Sequence, residues 1–312
     1  MGRTWRGAWG VALSLGALGA CGGAEEREAP PPEAAAGALS WDMVQDTTRR
    51  VASVGGFASP EAVRYDPDQD VWFVSNFNGD GDVRDGNGFV SRVSGDGEVL
   101  SLHFAQGTGE HPLHAPRGMF ITGDTLWVAD IDGVHAFDRH SGSPVAFVDF
   151  GAHEPGFLND IAAGPDGVLH VTDTGKSTVY RVEGREVTVA VADTLLGNPN
   201  GITWSAEGGV FVTVPWDPGR GIRAWRPGEA PSRRGPAATP GRLDGVEIVA
   251  GRLLVASQTD SSLVVVEGDV LRPVVKLPGR PADIGVDTRR RLVAVPYLAL
   301  DRVDVWELPP GS

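Results

Sequence analysis

The chain has 312 residues, with 41 Asp and Glu against 27 Lys and Arg, and a single cysteine. A formal charge of −14 repels phosphate backbones and argues against nucleic acid as a partner. One thiol supports neither a disulfide framework nor a thiolate metal centre, and the roughly 260 residues after the N-terminal region suffice for one large domain.

The first element is a leader. Arg3 and Arg6 precede an apolar run from Ala8 to Ala20, too short to span a bilayer, so residues 1–20 read as a signal peptide. It ends in Leu18-Gly19-Ala20-Cys21, which resembles a bacterial lipobox. That resemblance implies lipidation of Cys21 and a chain held in the periplasm or cell envelope, touching membrane only through its lipid. Gly22 after the cysteine resembles outer-membrane sorting, where the source has such a membrane. Residues 21–44 are rich in Ala, Pro, Gly and Glu, the composition of a tether that cannot bury enough apolar surface to order itself.

From residue 45 to 308 the sequence repeats. Six units of turn, strand, turn and strand align: PEAVRYDPDQDVWFVSN from Pro60, PRGMFITGDTLWVADI from Pro116, LNDIAAGPDGVLHVTDT from Leu158, PNGITWSAEGGVFVTVPW from Pro199, LDGVEIVAGRLLVASQT from Leu243 and PADIGVDTRRRLVAVPY from Pro281. A period near forty with short strands and Gly/Asp turns predicts an all-β, six-bladed β-propeller, each blade a four-stranded sheet. The last unit has three strands before the tail at 309–312. TRRVASV, residues 48–54, supplies the missing outer strand and closes the ring without leaving an open sheet edge. A β-sandwich of irregular strands is the rival architecture.

In a propeller the innermost strand of each blade starts at the central tunnel. The second position of the six units is Glu61, Arg117, Asn159, Asn200, Asp244 and Ala282. Two carboxylates and two amides converging on one axis stay under-satisfied unless a cation sits between them. Hard oxygen donors without His or Cys suit Ca²⁺, or another divalent metal, better than zinc or copper. The simpler reading has Asn and Asp hydrogen-bonding turns at strand starts; it accounts poorly for Glu61.

The motifs PEAVRYDP, FLNDIAAGPDG, NPNGITWS and LDGVEIV resemble signature positions of the senescence-marker-protein/gluconolactonase propellers, over about residues 58–306. The resemblance is closest to secreted bacterial members, whose first blade carries a segment like Asp85–Val93. It implies that Glu61, Asn200 and Asp244 hold a catalytic divalent ion, usually calcium, with Asn159 beside it. It also implies hydrolysis of a lactone or ester, with Asp244 as proton acceptor; Asp160, adjacent to the ring, is a second candidate for that role, against a simpler one of orienting Asn159 or bonding the strand start. Sugar lactonases of the group carry Arg two residues before the Asn, where this chain has Phe157. Their acidic substrate contact maps near Lys176-Ser177, and the His of the distant paraoxonases maps onto Arg117. A streptogramin-lyase-like activity would need a ring His, and none of the six positions has one.

The loop after each second strand returns to the same face, so Asn76, Asp130, Asp173, Trp216, Gln258 and Tyr297 are expected at the mouth. Phe157, Trp216 and Tyr297 would form an apolar wall for a small-molecule substrate, with Arg117 either gripping an anionic group or pairing with Glu61 or Asp244. The loop 107–115 with His111 and His114 is a candidate lid or base, and 226–242 a flexible cover. Residues 78–88 fail the EF-hand pattern at Val83 and read as a solvated loop. The alternative to a monomeric hydrolase is a non-catalytic binding propeller with a structural Ca²⁺.

Overall fold

The structure, a computed structural model, describes residues 48 to 308. The leader, Cys21 and the tether lie outside the described residues. Six four-stranded sheets follow one another. Five of them are consecutive antiparallel meanders, and they form blade one (60–106), two (119–149), three (158–192), four (199–233) and five (243–276). Blade six (285–307) takes its fourth, outermost strand from the other end of the chain. Arg49–Gly55 pairs antiparallel with Arg302–Glu307, starting at Arg49 opposite Glu307. The ring also closes at its centre, where Val63 N donates to Asp283 O at 3.1 Å and Asp283 N donates to Glu61 O at 2.9 Å.

The inner strands are buried along their whole length, as in Val71–Asn76 and Leu169–Asp173, because each blade packs on a neighbour through both faces. Among the described residues, every apolar cluster joins two adjacent blades. Between blades three and four, for example, Ile202, Phe211 and Trp225 meet Ala162, Val179 and Leu196. Hairpin chemistry is local: at Pro165-Asp166-Gly167, Gly167 takes φ 74° and Asp166 Oδ1 accepts from Val168 N at 3.1 Å.

The innermost strands carry a shared irregularity. Register shifts fall between Pro60 and Val63, Leu158 and Ile161, Pro199 and Ile202, and Leu243 and Val246. Each is a β-bulge in which two residues face one, and each contains one of the four oxygen-bearing ring residues. A bulge bends the strand and re-aims its side chain. In blades one and three a hydroxyl on the partner strand takes up the freed N–H: Ala62 N donates to Ser75 Oγ and Asp160 N to Thr172 Oγ1, both at 2.9 Å.

Two bulges place glycine after the ring residue. A Cβ on Gly201 would lie 2.3 Å from Asp244 O, and one on Gly245 2.4 Å from Asp283 Oδ1. Neighbouring innermost strands approach this closely only because the side chain is absent. No described helix is long and apolar enough to cross a membrane.

The segment 226–242, expected as a flexible cover, instead contains the outer strand of blade four, Ser232–Arg233. Ala224 pairs with Ser232 there. A two-residue strand among prolines and glycines leaves no periodic signal to read.

Candidate metal centre

One cavity of about 750 Å³ opens over the ring and is lined by Glu61, Asn159, Asn200 and Asp244 together. All four are at most 5% exposed. Each presents a buried oxygen with no hydrogen-bond partner: Glu61 Oε2, Asn159 Oδ1, Asn200 Oδ1 and Asp244 Oδ1. The remaining atoms of two of these side chains are held. Gln258 Nε2 donates to Asp244 Oδ2 at 2.6 Å, and Asn159 Nδ2 donates to Thr174 Oγ1 at 3.1 Å. Thr174 Oγ1 in turn donates to Pro199 O at 2.8 Å. The second-strand loops thus fix the orientation of both side chains and leave one oxygen of each unengaged.

An unsatisfied buried polar atom costs about 1–3 kcal/mol, so four on one cavity cost on the order of 4–12 kcal/mol. That is comparable with the whole stability of a domain. Strand-start hydrogen bonding cannot account for it, because these are the oxygens that make no such bond. The titration behaviour agrees. Burial, then repulsion from Asp244, holds the Glu61 carboxyl well above its ordinary value against the pull of Arg117. Burial pushes Asp244 up to about 7, with the Gln258 hydrogen bond opposing. A divalent cation would reverse both penalties, and an all-oxygen donor set fits Ca²⁺.

Two expected site residues do not line the cavity. Arg117 is 1% exposed, with its guanidinium 3.8 Å from the Phe157 ring centroid and 5.4 Å from that of Phe77. It donates to Gly81 O and lies within the fields of Glu61, Asp130 and Asp82. Arg117 is therefore a buried counter-charge behind an aromatic screen. Asp160 spends both oxygens on backbone: Oδ1 accepts from Ile161 N at 2.7 Å, and Oδ2 accepts from Ile202 N of blade four at 2.9 Å. Its carboxyl, raised to about 6 chiefly by burial, latches blade three to blade four. Phe157, Trp216 and Tyr297 line the cavity as expected, joined by Phe77, Leu298 and Leu300.

Of the six residues expected at the mouth, Trp216, Gln258 and Tyr297 line it, whereas Asn76, Asp130 and Asp173 are wholly buried. Those three hold the loop that leads into the innermost strand. Asn76 Oδ1 accepts from Ala58 N, Asp130 from His114 N and Ala115 N, and Asp173 from Gly156 N and Phe157 N. A polar side chain on the third strand faces each of them: Ser91 at 3.0 Å, His135 at 3.4 Å and Tyr180 at 3.5 Å. This repeat accounts for the grouping of Asp130 and His135 with Asp132, whose ligand-type atoms lie within 4.8 Å of one another outside the cavity. His114 and His111 also stay out. His114 Nδ1 accepts from Gly86 N at 3.0 Å, and His111 stacks on Phe147 at 4.6 Å.

No family model and no curated protein matches the sequence. Solved structures do. A gluconolactonase from Xanthomonas campestris is 17% identical over 88% of this chain and 95% of its own, with a TM-score of 0.62. Regucalcin from Agrobacterium tumefaciens, described as a calcium-binding protein, is 17% identical over 79% of this chain and 85% of its own, with a TM-score of 0.57. Virginiamycin B lyase from Staphylococcus aureus is 12% identical over 84% of this chain and all of its own, with a TM-score of 0.59. The group that the motifs resemble in the sequence thus recurs among proteins of like structure, and the chain has the six-bladed β-propeller fold shared by gluconolactonases and regucalcin.

Proposed function

We propose that this protein is a divalent-cation-dependent hydrolase of lactones or related esters, with Ca²⁺ as the favoured ion. The observation that carries the reading is the set of four unpartnered, buried oxygens on one cavity wall. Glu61, Asn159, Asn200 and Asp244 would hold the ion, which supplies Lewis-acid polarisation of an acyl carbonyl. Phe157, Trp216 and Tyr297 would receive the apolar part of the substrate and exclude water from it. Asp244 would also be the residue placed to accept a proton from an attacking water, the role that the resemblance gives it. Arg117 favours the charged form of Glu61 from behind without outweighing burial, and Gln258 fixes which Asp244 oxygen faces the cavity.

A lyase reading has less support. A virginiamycin B lyase variant lacking one histidine is described as catalytically inactive, and no histidine lines this cavity. The proposal extends to a monomer tethered through lipidated Cys21 in the periplasm or cell envelope.

Purified residues 40–312 assayed against a panel of lactones and aryl esters, with calcium and then with chelator, test the reading. Chelator-sensitive turnover that is lost in Asp244→Ala is expected. Calcium binding without turnover across the panel would make the protein a binding propeller instead.

A further inference from the structure

The geometry points to a ligand with an apolar body and an anionic group, the anion held by Arg280 at the rim while the acyl carbonyl points inward. This rests on the hydrolase reading for its chemistry, but its geometry is independent of turnover. The four oxygen donors come from blades one, three, four and five. Blade two's ring position is Arg117, screened by Phe77 and Phe157. Blade six's is Ala282, buried and without a polar side-chain atom. Blade six therefore adds no donor from its ring position.

That sector of the cavity is built by Gly279, Arg280, Tyr297, Leu298, Ala299 and Leu300. Arg280 is the single cationic side chain among the lining residues. It is exposed, and no hydrogen bond or ion pair joins it to a described residue. Three arginines of the same blade are engaged, Arg290 with Asp287, Arg291 with Glu307 and Arg302 with Asp304, whereas Arg289, exposed like Arg280, lies outside the cavity. Gly279 sets the backbone of this segment against the wall, since a Cβ there would lie 2.9 Å from Leu300 Cδ1.

The polarity of the cavity fixes the orientation. With a divalent ion held there, the charges of Glu61 and Asp244 balance it and leave the floor formally neutral, so the net positive charge of the cavity is that of Arg280. An acidic group on the ligand is therefore driven to the rim, where Arg280 offers a planar, multi-donor partner. The class that fits is a monoester or lactone bearing a remote carboxylate on an apolar acyl or aryl frame.

The test compares 4-nitrophenyl hemiglutarate with its neutral counterpart, 4-nitrophenyl valerate, on the calcium-loaded protein. A lower KM for the hemiglutarate is expected. In Arg280→Gln that KM should rise roughly fivefold to tenfold, the range for a charge-assisted contact partly open to water. kcat should change little, the preference between the two esters should collapse, and Arg280→Lys should recover part of it. Glutaranilic acid, an amide that is not turned over quickly, gives a second readout by calorimetry. Equal binding of it by wild type and Arg280→Gln would overturn the inference even if both esters are hydrolysed. Arg280-dependent binding with neither ester turned over would leave the anion site standing and remove the hydrolase reading.

Discussion

Replacing Asp244 by Asn separates a cation site from a structural hydrogen bond, because the two predict opposite changes in stability. Asn keeps the oxygen that accepts from Gln258 and removes the charge. A folded-state carboxyl titrating at about 7, against 3.8 in an unperturbed Asp, binds its proton more tightly than the unfolded chain does. Stability therefore falls as pH rises between about 4 and 7, by up to about 4 kcal/mol from this group. In chelator at pH 7.5, Asp244→Asn should lack that penalty. At about 2–4 °C per kcal/mol for a domain of this size, its Tm should exceed wild type by up to roughly 8–16 °C. Calcium should close the gap. Ion at a thousand times its Kd stabilises wild type by about 4.1 kcal/mol, or about 8–16 °C, while the variant responds weakly. Differential scanning fluorimetry at pH 5 and pH 7.5, with chelator and with calcium, reads all eight values. A variant less stable than wild type by the same margin in chelator and in calcium would refute the reasoning, since Asp244 would then be only an acceptor for Gln258.

Asn200→Ala and Glu61→Gln should each weaken calcium binding at least tenfold by calorimetry, since each removes a donor or a charge from the set. Asp160→Ala strands two buried backbone N–H groups and should lower the unfolding free energy by about 2–4 kcal/mol in urea, with calcium affinity changed less than threefold. Trp216→Ala should raise KM for aryl esters roughly threefold to tenfold through lost apolar contact, with little change for small lactones such as γ-butyrolactone. Gly201→Ala, with its 2.3 Å approach to Asp244 O, should destabilise the fold by more than 2 kcal/mol and weaken calcium binding as well, by moving two adjacent bulges.

The fold was legible because a propeller repeats: six matched units gave the blade number, and the surplus strand at 48–54 gave the closure. The ring residues were legible for the same reason, since equivalent positions in a repeat reach equivalent places. The bulges were written in the same motifs, in the Asn200-Gly201 and Asp244-Gly245 pairs, yet a single sequence does not distinguish such a pair from a turn. Arg117 and Asp160 were harder, because their positions follow from aromatic screening by Phe77 and Phe157 and from a cross-blade bond to Ile202. Both depend on neighbours far away in the chain. Asn76, Asp130 and Asp173 lie at the correct end of their strands, but the side chains turn inward to hold the preceding loop. Arg280 carries no motif. Its meaning comes from the cavity it borders, where it is the one cation among the described lining residues.

Ring closure by the chain's two ends has a consequence for biosynthesis. Arg49 is among the first described residues to leave the ribosome, and its partner Glu307 among the last. Until residues 302–307 emerge, strand Arg49–Gly55 has nothing to pair with, so blades one to five must wait with their terminal edges uncapped. Such a chain favours late, all-at-once maturation and a need for holding chaperones in the meantime. Loss of residues 302–307 would remove the clasp along with the last strand, leaving Arg49–Gly55 without a partner.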